Sequence, residues 1–301
     1  MPRKERLPRP EWLKISLKTT ENFKKVGSLV SDHSLHTVCQ EARCPNIYEC
    51  WNQRTATFMI LGDVCTRHCG FCSVKKGSPG PVDPEEPENV ARAGEKMGVQ
   101  YAVVTSVARD DLPDEGAAHF ADTIKAIRAR LPHCKVEVLI PDFKGRRDLL
   151  EIVLEANPEV LAHNLETVKA LYRRVRPVAV YDQSLRVIRD TVDYRDTRGL
   201  DIRTKCGIMV GLGETTGQVL ETLRDIAATG CDIVTVGQYL SPKSNSLPVE
   251  KFYTPEEFEM LREKALEFGI KHAESAPLVR SSYHAHRAHA ETTKPPDTPA
   301  L

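Results

Sequence analysis

The sequence predicts an α/β protein built around a parallel sheet, in which short strands alternate with helices along most of the chain. Three observations lead to this fold class. Short runs rich in Val and Ile recur, amphipathic segments separate them, and each amphipathic segment leads into another apolar run. Parallel neighbours require crossover connections, which the helices would supply. Six such units fit both a partial (β/α)6 barrel and an open doubly wound sheet, and periodicity alone does not separate the two.

The individual elements follow from the same patterns. The apolar runs are too short and too rich in β-branched residues for surface helices, which predicts strands at residues 55–61, 101–106, 135–140, 159–164, 203–210 and 232–238. The amphipathic segments carry apolar residues at three- and four-residue spacing, which predicts helices at residues 88–97, 116–131, 146–156, 165–174, 182–192, 216–228 and 255–268.

The alternation divides the chain into four predicted regions. Residues 1–54 form an N-terminal extension, residues 55–270 the barrel, and residues 271–285 a C-terminal segment. The tail, residues 286–301, ends in Thr-Thr-Lys-Pro-Pro-Asp-Thr-Pro-Ala-Leu. Such a composition buries too little apolar surface to offset the entropy of ordering, so the tail is predicted to be disordered.

The overall charge is balanced, with 42 basic and 42 acidic side chains among 301 residues, so no net field indicates nucleic acid or membrane as a partner. No run of 18 apolar residues and no apolar signal core occurs, which predicts a cytoplasmic protein. In that compartment the nine cysteines are expected to bind metal or do chemistry. Only residues 1–25 carry a clear excess of positive charge, with eight Lys or Arg against three Glu. They are either a solvated arm or a docking surface for an acidic partner.

The first cysteine motif follows the first predicted strand and has the spacing Cys-x3-Cys-x2-Cys, at Cys65, Cys69 and Cys72. Thiolates are the usual ligands of iron–sulfur clusters, and three of them leave one iron of a cubane cluster open. An open coordination position is typical of a catalytic metal site. Structural zinc sites more often pair two Cys-x2-Cys elements, and ferredoxins add a cysteine followed by proline. The motif therefore predicts a catalytic cluster.

A second motif precedes the first strand and has the spacing Cys-x4-Cys-x5-Cys, at Cys39, Cys44 and Cys50. From the residues alone it is compatible with a small zinc-stabilised cap. Near the other end of the chain stands Arg280-Ser281-Ser282-Tyr283, which alone would be an ordinary surface loop.

The first motif, with Phe71 before its last cysteine, resembles the radical S-adenosylmethionine superfamily. The two motifs and the Arg-Ser-Ser-Tyr segment together resemble the lipoyl synthase family, over roughly residues 12–285. The resemblance implies a partial (β/α)6 barrel whose extensions carry an auxiliary cluster, and it implies two [4Fe–4S] clusters with S-adenosylmethionine as cofactors. Carried over, the first cluster is held by Cys65, Cys69 and Cys72, and the auxiliary cluster by Cys39, Cys44, Cys50 and Ser282, with Ser281 the nearest alternative.

The resemblance also implies a sulfurtransferase reaction. A 5′-deoxyadenosyl radical would remove hydrogen from C6 and then C8 of an octanoyl group, and the auxiliary cluster would donate both sulfur atoms. Two S-adenosylmethionine molecules would be consumed, and the product would be the lipoyl cofactor. The expected cofactor contacts are polar residues at predicted strand ends and their neighbours, each of which could instead be a packing or capping residue: Phe71, Thr105, Asn164, Glu166 and Arg176.

The partners implied are octanoylated lipoyl carrier domains, such as the E2 subunits of 2-oxoacid dehydrogenases and the H protein of glycine cleavage. A low-potential electron donor such as ferredoxin or flavodoxin and an iron–sulfur carrier that rebuilds the auxiliary cluster are also implied. Two alternatives remain. A biotin-synthase-like enzyme would take cluster ligands from barrel strands, and an electron-transfer or zinc-binding module would leave the strand–helix units after Cys72 without a purpose.

Overall fold

The computed structural model describes residues 7–15, 17–33, 35–53 and 55–293. The chain begins with a 3-10 turn at Glu11–Leu13. The elements before β2 are α1 (Glu21–Asp32), β1 (His36–Thr37), α2 (Val38–Glu41) and α3 (Ile47–Asn52). The elements that follow are β2 (Thr57–Ile60), β3 (Val64–Cys65), β4 (Lys75–Lys76), α4 (Glu86–Met97), β5 (Tyr101–Ser106), α5 (Ala117–Arg130), β6 (Lys135–Leu139), α6 (Arg147–Glu155), β7 (Val160–Ala162), α7 (Tyr172–Val175), α8 (Tyr181–Arg198), β8 (Arg203–Val210), α9 (Thr216–Ala227), β9 (Ile233–Gln238), α10 (Pro255–Glu267), β10 (His272–Ala276) and α11 (Ala285–Thr293).

The main sheet has eight strands in the order β1-β2-β5-β6-β7-β8-β9-β10. All neighbours are parallel except β1, which pairs antiparallel with β2. Successive helices pack on one another around the outside of this sheet, in the sequence α4, α5, α6, α8 and then α9 with α10. Side chains of β2, β5, β6, β8 and β9 line one common cavity, so the sheet curves into a barrel. In the described part of the chain β10 does not pair with β1, and the barrel is therefore open on that side.

The predicted α/β class with a parallel sheet is confirmed, and the positions of the six predicted strands hold to within a few residues. The predicted helix at residues 165–174 is wrong. The chain there first continues beside β8 in an extended form, because Glu166 N donates to Gly207 O at 3.0 Å and Met209 N donates to Glu166 O at 2.9 Å. Only a 3-10 turn at Lys169–Leu171 and the four-residue α7 follow, so α8 alone makes the crossover.

A seventh parallel strand extends the predicted six. β10 lies beside β9 in register from His272 against Ile233 to Ala276 against Gly237. Its sequence, His-Ala-Glu-Ser-Ala, lacks the β-branched residues that mark the other strands, so periodicity did not reveal it. The C-terminal segment predicted outside the barrel thus begins with a strand of the main sheet.

The tail predicted to be disordered is helical in its first part, where α11 runs along β10. Ala285 and Ala288 are buried, and the His272 Nδ1 atom lies 2.8 Å from a carboxylate oxygen of Glu291. The histidine ring of His289 lies 6.0 Å from the ring of Tyr101, centroid to centroid. Two small buried residues are enough to pack this helix against β10, although the composition of the tail as a whole is polar. Residues 294–301 lie outside the described residues.

Below the cavity the barrel interior holds a buried polar network. Lys205 on β8 donates to Glu137 on β6 at 2.8 Å, and the Tyr101 hydroxyl donates to the other oxygen of Glu137 at 2.8 Å. The network closes the lower part of the barrel, so the cavity opens at the carboxyl ends of the strands. Among the described residues no helix is long and apolar enough to cross a membrane.

Candidate active site

A cavity of about 760 Å³ lies at the carboxyl ends of the barrel strands. Its lower wall comes from strand residues such as Thr105, Ser106 and Thr235, and its rim comes from the extensions before and after the barrel. Residues of both cysteine motifs contribute to its lining, namely Cys72 from the first and Cys39 and Cys44 from the second. A ligand in this cavity would therefore lie between the two motifs.

The first cysteine site (Cys65, Cys69 and Cys72) lies on one continuous loop that begins in β3. The Sγ atom of Cys65 accepts hydrogen bonds from the backbone N–H groups of Arg67, at 3.4 Å, and of Ala108, at 3.3 Å. The backbone N–H of Gly70 donates to Val175 O at 2.9 Å. These contacts hold the loop against the segment that follows β5 and against the end of α7.

The loop is anchored from below by a buried ion-pair network around Arg67. Its guanidinium donates to both oxygens of Asp110, at 2.8 and 2.7 Å, and lies 2.8 Å from Asp142. Burial alone would raise the pKa of Asp142, but the hydrogen bond and charge of Arg67 outweigh it and lower that pKa to about 2. Asp142 is thus ionised at neutral pH, and the positive charge of Arg67 is balanced by the two carboxylates of Asp110 and Asp142.

Two thiols of the first site, Cys69 and Cys72, lie in a desolvated setting. Burial raises the pKa of Cys69 and raises that of Cys72 to about 11. Bound metal stabilises thiolates and displaces such protons, so these thiols are suited to a metal cluster and poorly suited to act as free nucleophiles.

The described residues contain no group of three or more His, Cys, Asp or Glu side chains that converges on a single metal ion. A mononuclear zinc site needs such convergence, whereas an iron–sulfur cluster distributes its cysteine ligands over several iron atoms. Cys39 and Cys44 of the second motif lie at the edge of the cavity, and thiols are the donors that a cluster takes.

The second cysteine site (Cys39, Cys44 and Cys50) is carried by α2, α3 and the turn between them. The Thr37 side chain caps α2, and Arg43 takes a left-handed conformation, with φ of 52°, that turns the chain toward α3. Burial raises the pKa of Cys39 to about 11; burial and then the neighbouring thiols Cys39 and Cys44 raise that of Cys50 to about 12. The three thiols are therefore close enough to repel one another as thiolates.

Side-chain hydrogen bonds attach the C-terminal segment to this second site. The Asn46 side chain donates to Leu278 O at 2.7 Å, and the Tyr283 hydroxyl donates to the Glu49 carboxylate at 3.1 Å. Gly237, at the end of β9, lets the segment approach, because a Cβ there would lie only 2.1 Å from Val279 O. Ser281 and Ser282 consequently line the same cavity as Cys39 and Cys44, and the structure brings both serines to the second site.

Of the predicted cofactor contacts, Phe71, Thr105, Asn164 and Glu166 line the cavity. The Thr105 hydroxyl already donates to Leu139 O at 2.8 Å, which leaves its oxygen as an acceptor. The Asn164 amide donates to Glu166 at 3.1 Å, while its buried Oδ1 atom has no hydrogen-bond partner among the described residues. Gly207 makes room for this amide, since a Cβ there would lie 2.7 Å from Oδ1. An unpaired buried acceptor beside a carboxylate is suited to a polar ligand.

Arg176 is placed differently from the other predicted contacts. It is buried, it does not line the cavity, and its Nη1 atom donates to Asn164 O and to the Tyr172 hydroxyl, both at 2.7 Å. These bonds fix the backbone that carries Asn164. The geometry thus favours a positioning role for Arg176, and direct contact with a cofactor carboxylate stays a prediction.

Ser73 is a residue that sequence analysis missed. Its buried hydroxyl donates to Glu41 O, inside the second cysteine motif, and its own carbonyl accepts from the ammonium of Lys243. Ser73 follows Cys72 directly, so one side chain connects the loops of the two cysteine sites. Adjacency to Cys72 was the only signal in the sequence, and adjacency does not reveal a contact with a segment that lies 32 residues away.

Two sequence models and many known proteins match this chain. The sequence model of the radical SAM superfamily matches residues 59–226, and that of the N-terminal domain of lipoyl synthase, of the radical SAM family, matches residues 1–44. Lipoyl synthase from Symbiobacterium thermophilum is 56% identical over 94% of this chain and 87% of its own length. Lipoyl synthase from Rubrobacter xylanophilus is 54% identical over 92% of this chain and 85% of its own.

Solved structures share the fold at low sequence identity. The crystal structure of methylornithine synthase aligns with a TM-score of 0.53 at 17% identity, covering 74% of this chain and 72% of that one. SuiB of Streptococcus suis, bound to S-adenosylmethionine, aligns with a TM-score of 0.54 at 13% identity, covering 77% of this chain and 55% of that one. At these identities the likeness concerns the fold alone.

Proposed function

The chain belongs to the lipoyl synthase family of radical S-adenosylmethionine enzymes, and from this premise we propose how its own residues divide the work of sulfur insertion. Its predicted family, enzyme class and cofactors, S-adenosylmethionine and [4Fe–4S] clusters including the auxiliary one, are confirmed by these relatives. Its substrates are lipoyl carriers, as the family implies.

We assign the two clusters to the two cysteine sites. Cys65, Cys69 and Cys72 hold the cluster that binds S-adenosylmethionine, because they form one loop above the barrel, next to Phe71, Asn164 and Glu166. Cys39, Cys44 and Cys50 hold the auxiliary cluster, and Ser282 supplies its fourth ligand. The contacts that join Asn46 to Leu278 and Glu49 to Tyr283 support this assignment, since they hold the serine segment beside the cysteines.

One observation carries the proposal: a single cavity is bordered by both cysteine sites. With cofactors bound, the first site supplies a radical strong enough to remove hydrogen from an unactivated carbon, and the second supplies sulfur. The residues of the cavity hold the octanoyl chain between the two, with apolar side chains such as Met59, Ile208 and Leu240 along its path. Ser73 ties the two loops together, which keeps the separation of the two cluster sites constant.

The finer partners are also part of the proposal. Octanoylated E2 subunits and the glycine cleavage H protein are the expected carriers, a ferredoxin or flavodoxin the expected reductant, and an iron–sulfur carrier the expected source of a rebuilt auxiliary cluster. The cytoplasmic location predicted from the sequence belongs to the same set of proposals.

The proposal is tested by removing the cysteines of one site at a time. In anaerobically reconstituted protein, replacing Cys39, Cys44 and Cys50 by alanine should preserve cleavage of S-adenosylmethionine and abolish formation of the lipoyl product. The matched replacement of Cys65, Cys69 and Cys72 should abolish both, because cleavage needs the first cluster. Iron content should fall from about two cubane clusters per chain to about one in each variant. Thiolation of an octanoylated carrier by the first variant would contradict the assignment of the second site.

A further inference from the structure

The segment before α1 runs along the entrance of the cavity. We call residues 7–15 and 17–20 the strap. Arg9, Ile15 and Leu17 of the strap line the cavity, while Leu13 is buried and fixes the strap to the protein. The strap therefore contributes to the wall of the cavity on the side of the N-terminal extension.

The strap is attached at both ends. Near its start, the indole N–H of Trp12 donates to Tyr253 O at 3.2 Å, on the segment between β9 and α10. At its end, the backbone N–H and the hydroxyl of Thr20 donate to Asn52 Oδ1, at 3.1 and 2.7 Å. The strap thus joins the barrel to the extension that carries the second cysteine site, and it has a defined outer surface at the entrance.

That outer surface is apolar and cationic. Three of the six large hydrophobic side chains that are exposed in the described part of the chain belong to the strap, namely Leu7, Trp12 and Leu17, the last with 64% of its surface exposed. Exposed cations accompany them: Arg9, Lys18 and Lys14, the last of which forms an ion pair at 2.5 Å with the single carboxylate of the strap, Glu11. Arg43, within the second cysteine motif, adds a further exposed cation to the residues that line the cavity. Clustered exposed apolar side chains mark interaction surfaces, and flanking charges select the partner.

We propose that the strap is the docking surface for the carrier domain, and that the face of the carrier around its acylated lysine is acidic and includes an apolar patch that contacts Leu17. The proposal rests on the proposed function. If the octanoyl chain reaches between the two cysteine sites, the folded domain that bears it stays outside the cavity and contacts the rim. Carboxylates on that domain would complement the strap cations, and such complementarity accelerates encounter and fixes orientation.

The test compares two substrates that carry the same octanoyl-lysine, one on an intact carrier domain and one on a short uncharged peptide. In the reconstituted full-length enzyme, the double variant Lys14→Glu/Lys18→Glu should raise KM for the domain about tenfold, with kcat near that of the wild type. KM for the peptide should stay within about twofold, since the peptide has no domain to dock. The salt dependence of KM for the domain should also become weaker or reverse.

Two variants sharpen the comparison. Lys96→Glu/Lys125→Glu reverses two exposed charges on α4 and α5, outside the rim, and should leave KM for both substrates unchanged. Leu17→Ser should raise KM for the domain several-fold without altering the salt dependence, because it removes an apolar contact.

The outcomes separate the docking surface from the proposed function. An unchanged KM for the domain in the Lys14→Glu/Lys18→Glu variant, or an equal rise for domain and peptide, overturns the proposal. An equal rise caused by Lys96→Glu/Lys125→Glu also overturns it, because net charge would then be the cause. If the wild type cleaves S-adenosylmethionine and thiolates neither substrate, the proposed function itself is wrong.

Discussion

The two cysteine sites border the same cavity but are built in different ways. The first site lies on one loop of eight residues, Cys65 to Cys72, and Arg67 anchors that loop to two buried or half-buried carboxylates. The second site, as proposed, combines two distant parts of the chain, the motif at Cys39–Cys50 and the segment at Ser281–Ser282, which line the same cavity. A few side-chain contacts join those parts, such as the hydrogen bond from Tyr283 to Glu49 and the approach of His284 to the same carboxylate at 3.5 Å.

This difference matches the different tasks of the two clusters. A cluster that repeatedly activates the same cofactor requires a fixed loop, and a buried ion-pair network provides it. A cluster that gives up sulfur must be opened and rebuilt, and a serine on a separate, weakly joined segment is a ligand that can leave. An alkoxide is also a harder ligand than a thiolate and matches iron–sulfur less well. The comparison predicts a rigid first site and a labile second one.

The largest effect is expected from Arg67→Met, which removes the anchor of the first site. Asp110 and Asp142 would be left without their buried partner, and breaking such a pair costs about 3 to 5 kcal/mol. The free energy of unfolding, measured by denaturant titration of the cluster-free chain, should fall by that amount. The control is Arg173→Met, at an exposed arginine of α7. Its free energy of unfolding should fall by less than about 0.5 kcal/mol. A similarly small loss for Arg67→Met would mean that the first site is not more firmly anchored than the second.

The next effect concerns the fourth ligand of the auxiliary cluster. If Ser282 is the fourth ligand, as proposed, Ser282→Cys replaces a ligand that can leave by a thiolate that iron–sulfur clusters hold more strongly. The iron content should stay near that of the wild type, while the yield of lipoyl product should fall about a hundredfold. The control is Ser281→Cys, at the neighbouring serine that also lines the cavity. A loss of product in the control and not in Ser282→Cys would assign the ligand to Ser281 instead.

The same contrast explains what could be predicted from sequence. Cys65, Cys69 and Cys72 are neighbours in the chain, so spacing alone predicts their site. Ser282 lies far from Cys50 in sequence, and only the resemblance to a family joined them. Ser73 and the strap needed the structure, because their contacts with Glu41 and Tyr253 depend on how distant loops meet above the barrel. β10 and α11 were missed because they pack through small residues. The predictions recognised strands and helices by β-branched or large apolar residues.

The smallest effect is expected from Tyr283→Phe, which removes one bond between the two parts of the second site. The Tyr283 hydroxyl donates to an exposed Glu49, so the free energy of unfolding should fall by only about 0.5 to 1 kcal/mol. Iron should nevertheless leave the auxiliary cluster to a chelator several-fold faster, since the serine segment is held less closely, while cleavage of S-adenosylmethionine should continue. Tyr181→Phe is the matched control, because its hydroxyl also donates to a carboxylate, that of Asp225 at 2.8 Å, away from both cysteine sites. Equal rates of iron loss in the two variants would show that the bond to Glu49 does not govern the second site.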